Sequence, residues 1–350
     1  MLIYLIVLFF LFITALLNPF IKQNIPLITN LFCTEFLILF LLGGVRKDVG
    51  VDYVNYEEIY SMSDKLYAMK EIGFVWIVEL LNKLSLPFCV FCLLFIGVTL
   101  FGIFHFVRVH SPYILFSIMI YYSLGNYYFS AFNAMRQACA TAIFLNLLQF
   151  VEKGKFVIYT LFLIAVSFFV HASAVVLIPL YFFLNKEWNW TIKMILFVTI
   201  AACSSFLLGL VMNTPYSFYI TNEDFASSVP LTYYLIGIFA VSLLIYSYFR
   251  PEFEKRNLVL MNLNFVVIIL LYIIFAYEGT VVVKMISRLL GYFTVIYIVL
   301  IPILFLEWKL FTNRYLVIVF LSSILAFLSF WALYKNGVIN NMVPYRTIFS

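Results

Sequence analysis

An all-α, polytopic integral membrane helical bundle is the fold class that this sequence predicts, on three observations. Of the 350 residues, 65% are hydrophobic and only 11% charged, where a soluble domain has about 45–50% apolar and about 25% charged residues. Mean hydropathy is +1.09. Apolar runs of about 20 residues, each long enough to cross a hydrocarbon core of about 30 Å as a helix, recur along the whole chain. The ten-residue alternation of an outer-membrane barrel is missing.

The first apolar run, 2–17, has no basic flank and no small-residue cleavage site, so it reads as a retained helix and not as a signal peptide. Further spans are predicted at 27–45, 87–107, 112–130, 134–152, 156–184, 191–212, 231–249, 257–278, 285–307 and 314–334. That makes roughly 11–12 membrane segments in one integral membrane domain, 1–350, with no soluble domain and no obvious repeat. The largest loop is 46–86. Its second half, 71–86, "EIGFVWIVELLNKLSL", is amphipathic, with Glu79, Asn82 and Lys83, and is expected at the membrane interface.

The net charge of +5 is spread out and gives no case for nucleic acid. The cysteines all lie in apolar segments. Cys89 and Cys92 form a CxxC without the further ligands that a zinc site needs, and read as packing residues.

Segment 156–184, "FVIYTLFLIAVSFFVHASAVVLIPLYFFL", is too long for an upright span: as one helix it would run about 43 Å at about 1.5 Å per residue. It reads as a hairpin of two short arms broken at "HAS", with His171 at the tip; a single tilted helix is the alternative. Lys and Arg in short loops orient the chain. The 250–256 loop, "RPEFEKR", is expected inside, and 213–230, which has neither residue, outside. With the hairpin, loop 46–86, the 131–136 junction, the hairpin tip and the C-terminal tail fall on the extracytoplasmic side.

Polar clusters on that side are the candidates for chemistry. In "FNAMRQACATAIF", Asn133, Arg136 and Gln137 share one helix face. A cation in a first helical turn opposes the macrodipole, which makes sense where an anion is bound there. The alternative for Arg136 is an arginine that snorkels to the interface. His171 is an ionisable side chain inside an apolar segment, and so a functional candidate; as general base or hydrogen-bond donor it suits neutral pH. Lys284 and Arg288 stand one turn apart at another helix start. Arg346 lies in the tail "NNMVPYRTIF", where Pro344 and Tyr345 point to a docked end. In "VRKDVGVDYVNYEEIY" (45–60), six charged residues and three tyrosines crowd into sixteen positions. Arg46 closes a helix, where a cation is favourable. Asp52, Tyr53 and Tyr56 offer a carboxylate and rings to a sugar, and Asp52 is a second candidate base.

Taken in order, these stretches resemble the EpsG family. "VRKDVGVDYVNYEEIY" resembles its R-x3-G-x-D-Y-x2-Y segment, "EIGFVWIVELLNKL" its Glu-led amphipathic stretch and "NAMRQACATAIF" its N-x2-R-Q helix start. "FFVHASAVVLIPLYF" resembles its H-x-S segment, and "SRLLGYF" and "VPYRTIF" its late Arg and P-Y-basic end. The resemblance implies a Wzy-type polysaccharide polymerase, a multi-pass enzyme of the bacterial cytoplasmic membrane. It implies that oligosaccharide units on undecaprenyl diphosphate are joined on the outer face into capsular polysaccharide, exopolysaccharide or O-antigen. The candidate partners are this lipid-linked oligosaccharide, membrane lipids, and the flippase and chain-length regulator of the same pathway. The expected roles are His171, Asp52 and Arg136 in catalysis and Arg46, Tyr53, Tyr56, Asn133, Gln137, Lys284, Arg288 and Arg346 in substrate binding. Asp48 and Asp52 form no DxD pair, so neither metal nor cofactor is expected. The competing classes are a flippase or other transporter, which would place its site at mid-membrane between related halves, and a membrane O-acyltransferase.

Overall fold

A computed structural model describes residues 1–21, 23–67, 69, 71–124, 127–211, 229–307 and 314–349. Among the described residues the chain is helical without strands, as a membrane protein requires when every backbone polar group must be paired within the chain. Six helices are long and apolar enough to cross a membrane: Leu2–Ile21, Ile25–Gly44, Phe88–His110, Leu231–Phe249, Leu258–Ala276 and Tyr315–Asn336. Val281–Thr294 and Tyr297–Leu304 form a bent apolar pair, the geometry of a broken span or a re-entrant loop, and shorter apolar helices accompany them. The chain is a polytopic helical membrane protein.

It forms two compact units, one of Met1–Gln149, Val157–Ile178 and Val295–Ser350, the other of Phe150–Phe156 and Pro179–Thr294. In the first unit, helix α1 (Leu2–Ile21) packs on α7 (Ile114–Ser123) and on the helix Arg314–Asn336, while α2 (Ile25–Gly44) packs on α6 (Phe88–His110). Asn24 caps α2, its Oδ1 accepting from the Leu27 N–H at 3.1 Å. Every side chain of α7 after Ile114 is buried. The predicted span 112–130 is therefore corrected to this ten-residue helix, which ends at Ser123. A helix enclosed by protein need not match the bilayer, and irregular backbone beyond it is tolerated for the same reason.

Segment 156–184 is the hairpin. Helix α10 (Phe156–Phe169) ends at Val170–His171, and a 3-10 turn, Ala172–Leu177, starts the return. Tyr159 donates to the Leu177 carbonyl at 2.7 Å. Phe156 packs on Tyr181 and Phe182 with ring centroids 5.0 and 4.9 Å apart. Contacts between the first residues of one arm and the last of the other exclude the single tilted helix.

In the second unit the helix Leu258–Ala276 is the most enclosed. Its Asn262 amide donates to the carbonyls of Leu184 at 3.1 Å and Lys186 at 2.9 Å, and Asn264 donates to Ala240 at 3.0 Å. Lys193, in the helix Trp190–Val211, pairs with Glu254.

Candidate active site

The charged segment that follows α2 is pinned from two directions. The C-terminal tail lies beside it: the Lys47 N–H donates to the Arg346 carbonyl and the Ile348 N–H to the Val45 carbonyl, both at 3.0 Å. Asn341 accepts from the Gly50 N–H at 2.8 Å, and Tyr345 donates to Leu42 at 2.9 Å. The tail is docked, as Pro344 and Tyr345 indicated. From the other side, the Val51 N–H donates to Asn133 Oδ1 at 2.7 Å. Gly50 has φ +103°, and a Cβ there would stand 2.8 Å from the Phe132 carbonyl. Only glycine fits both the dihedral and the approach.

Arg46 is fully buried. Its guanidinium donates to the carbonyls of Gly43, Val49 at 3.2 Å and Phe132 at 3.4 Å, and lies over the Phe132 ring. It staples the end of α2 to the 132–133 turn. Tyr53 is enclosed as well. Its side chain is buried in an aromatic cluster, edge-on to Phe88, and is not presented to a ligand.

The residue missing from the predicted set is Glu71, just before α5 (Ile72–Lys83). Its Oε1 lies 2.7 Å from an Arg136 terminal nitrogen, 3.2 Å from the Ala172 N–H, which donates to it, and 3.7 Å from His171 Nδ1. The Glu71 and Arg136 side chains are 11% and 7% exposed, so this is a buried ion pair. Arg136 also donates through Nε to the Val170 carbonyl at 2.7 Å and lies over the Phe74 ring, its central carbon 4.1 Å from the centroid. At the start of α9 (Met135–Glu152), Arg136 is thus paired with the protein's own carboxylate. Burial pushes the Glu71 carboxyl up, but His171, Arg136 and the Ala172 N–H together hold it well below the usual carboxylate range.

His171 keeps 31% of its side chain exposed, while its Nδ1 is buried facing Glu71 without a formed hydrogen bond. Tyr56 is half-buried. Burial raises its phenol, and Arg136, through its charge and a backbone hydrogen bond, pulls it back; Asp52 is the nearest acidic influence. A polar cluster thus joins Arg136, Glu71 and His171. Asp52 precedes α3 (Tyr53–Ser61) without capping it and is half-buried. Gln137 is half-buried beside Arg136, and Arg346 is exposed. Lys284 and Arg288 lie in the second unit on the helix Val281–Thr294, Lys284 half-buried and Arg288 exposed. Among the described residues no group of three or more His, Cys, Asp or Glu gathers as metal ligands.

Helices that carry a broken hairpin, whose tip is fastened to a buried ion pair, define a polytopic membrane protein with a polar site at one end of its first unit. The sequence model of the EpsG family matches residues 29–347, and the chain belongs to that family. No curated protein and no solved structure matches it. The sequence signal for Glu71 was its position: a lone carboxylate directly before an apolar amphipathic helix, in the Glu-led stretch already matched to the family.

Proposed function

We propose that the chain is a Wzy-type polysaccharide polymerase of the bacterial cytoplasmic membrane. It would join oligosaccharide units carried on undecaprenyl diphosphate, on the outer face of the membrane, into capsular polysaccharide, exopolysaccharide or O-antigen. Membership of the EpsG family supports the class. The observation that carries the chemistry is the buried Arg136–Glu71 pair set against His171, whose imidazole is part-exposed.

In this reading His171 is the general base for the acceptor hydroxyl, since an imidazole accepts a proton at neutral pH without special tuning. Asp52 and Tyr56 hold the acceptor sugar by hydrogen bonds. Arg136 and Asn133 position rather than bind: one fastens the hairpin tip through Val170, the other fastens the Asp52 segment through Val51. Exposed Arg346 is the first unit's candidate ligand for diphosphate, and Lys284 and Arg288 are those of the second. The flippase and the chain-length regulator of the pathway are the proposed protein partners.

The test is the surface glycan of a deletion strain. Single repeat units without a ladder support a polymerase. Loss of the units from the outer face points instead to the flippase, and an intact ladder overturns both.

A further inference from the structure

We propose that Glu71 is the positioning carboxylate of a Glu71–His171 dyad: it holds the imidazole with the proton on Nδ1 and leaves Nε2 as the proton acceptor. The inference rests on the polymerase reading for its reaction, but not for its geometry.

The geometry has three parts. First, His171 Nδ1 is buried and faces Glu71 Oε1 at 3.7 Å without a hydrogen bond. A buried ring nitrogen without a partner needs an explanation, and a small movement of the ring brings it to bonding distance of this acceptor. Second, the carboxylate cannot readily turn away, because the same oxygen accepts the Ala172 N–H at 3.2 Å and pairs with Arg136 at 2.7 Å. Ala172 follows His171 directly, so Glu71 fixes both the backbone and the ring of the tip. Third, Arg136 is itself fixed, through Nε, to the Val170 carbonyl, the residue before His171. Residues 170, 171 and 172 are each tied to one ion pair.

The chemistry selects the roles. The charged neighbours of the ring are Glu71, before α5, and behind it Arg136, on α9. Glu71 is a poor base at neutral pH because its partners, Arg136 and the Ala172 N–H among them, hold it as the anion despite its burial. A carboxylate so held acts instead by fixing the tautomer of the imidazole and stabilising the imidazolium that forms. In the transfer step the acceptor hydroxyl oxygen attacks the anomeric carbon of the growing chain as Nε2 takes its proton. The new glycosidic C–O bond forms while the bond from that carbon to the diphosphate oxygen breaks, and the polyprenyl diphosphate departs with the electron pair. Glu71 faces the resulting imidazolium across Nδ1.

The experiment has two readouts. The protein labelled with ¹⁵N-histidine contains only His105, His110 and His171, and a His171→Asn variant assigns the third signal. In the wild type, in nanodiscs without substrate above pH 7, the ¹⁵N shifts should report a protonated Nδ1 and an unprotonated Nε2 at His171. In Glu71→Gln the tautomers should mix or invert, while His105 and His110 stay unchanged as the control for folding. Turnover of lipid-linked units by Glu71→Gln should fall by about 10²-fold or more in kcat with KM within about threefold, and Glu71→Asp should recover part of it. A proton on Nε2 in the wild type, or an identical His171 spectrum in Glu71→Gln, overturns the dyad whatever the enzyme makes. The expected tautomer in a protein that never turns over lipid-linked units would uphold the geometry and overturn the polymerase reading alone.

Discussion

Removing one member of the Glu71–Arg136 pair should cost far more stability than removing both. Each side chain is about one-tenth exposed or less, so truncating one leaves a buried charge without its partner, at a cost of about 3–5 kcal/mol. Arg136→Met also orphans the Val170 carbonyl that Nε now serves, worth a further about 1–3 kcal/mol. Glu71→Leu orphans the Ala172 N–H in the same way. In the double variant Glu71→Leu/Arg136→Met the charges vanish together, and apolar packing against Phe74 replaces the stacked guanidinium. The coupling between the two sites should then be about 6–10 kcal/mol in favour of the pair of substitutions, the sum of the two penalties of about 3–5 kcal/mol for an unpaired charge. The assay is thermal unfolding in one detergent at a fixed scan rate, since such proteins unfold irreversibly. At roughly 1–3 °C per kcal/mol for a chain of this size, each single variant, at about 4–8 kcal/mol, should lose roughly 4–24 °C, and the double variant should lose less than the worse single. Strictly additive losses would refute a buried, directly coupled pair.

Other substitutions test the remaining contacts. Gly50→Ala puts a Cβ against the Phe132 carbonyl at a positive φ, so about 1–3 kcal/mol of strain should loosen the Asp52 segment, seen as faster amide exchange at 50–52. Tyr159→Phe removes the bond to Leu177 across the hairpin and should cost about 1 kcal/mol in the same unfolding assay, without altering the glycan ladder. Because Glu71 is held below the usual carboxylate range, its contribution to stability is complete above the unfolded value of about 4.3 and declines as pH falls through it. The wild type should therefore lose thermal stability between about pH 4.5 and 3, and Glu71→Gln should lose markedly less over that window.

The membrane class was legible because composition and 20-residue apolar runs are local properties that the bilayer alone enforces. The hairpin was legible in part: a 29-residue apolar segment with a polar HAS at its centre is too long for an upright span, but only the Tyr159–Leu177 contact separates a hairpin from a tilted helix. Span 112–130 misled because its apolar residues answer to neighbouring helices and not to lipid, so hydropathy could not reveal where α7 stops. Arg136, read from its awkward place in a first helical turn, did demand an anion, but nothing local says that the anion is Glu71, 65 positions earlier. Arg46 and Tyr53 looked available to a ligand for a similar reason. Their chemistry is visible in sequence, whereas their burial is decided by Phe132 and Phe88 from elsewhere in the chain.

The central claim is that a base at the hairpin tip drives joining of lipid-linked glycan units. Its most direct test uses purified protein in nanodiscs with the lipid-linked repeat units that accumulate in the deletion strain, comparing wild type with His171→Ala. The wild type should convert single units into a ladder. His171→Ala should bind the units with similar affinity yet extend them about 10²–10⁴-fold more slowly, the usual cost of losing a general base. A wild-type protein that binds these units and never extends them, or a His171→Ala protein that makes the full ladder at the wild-type rate, would contradict it.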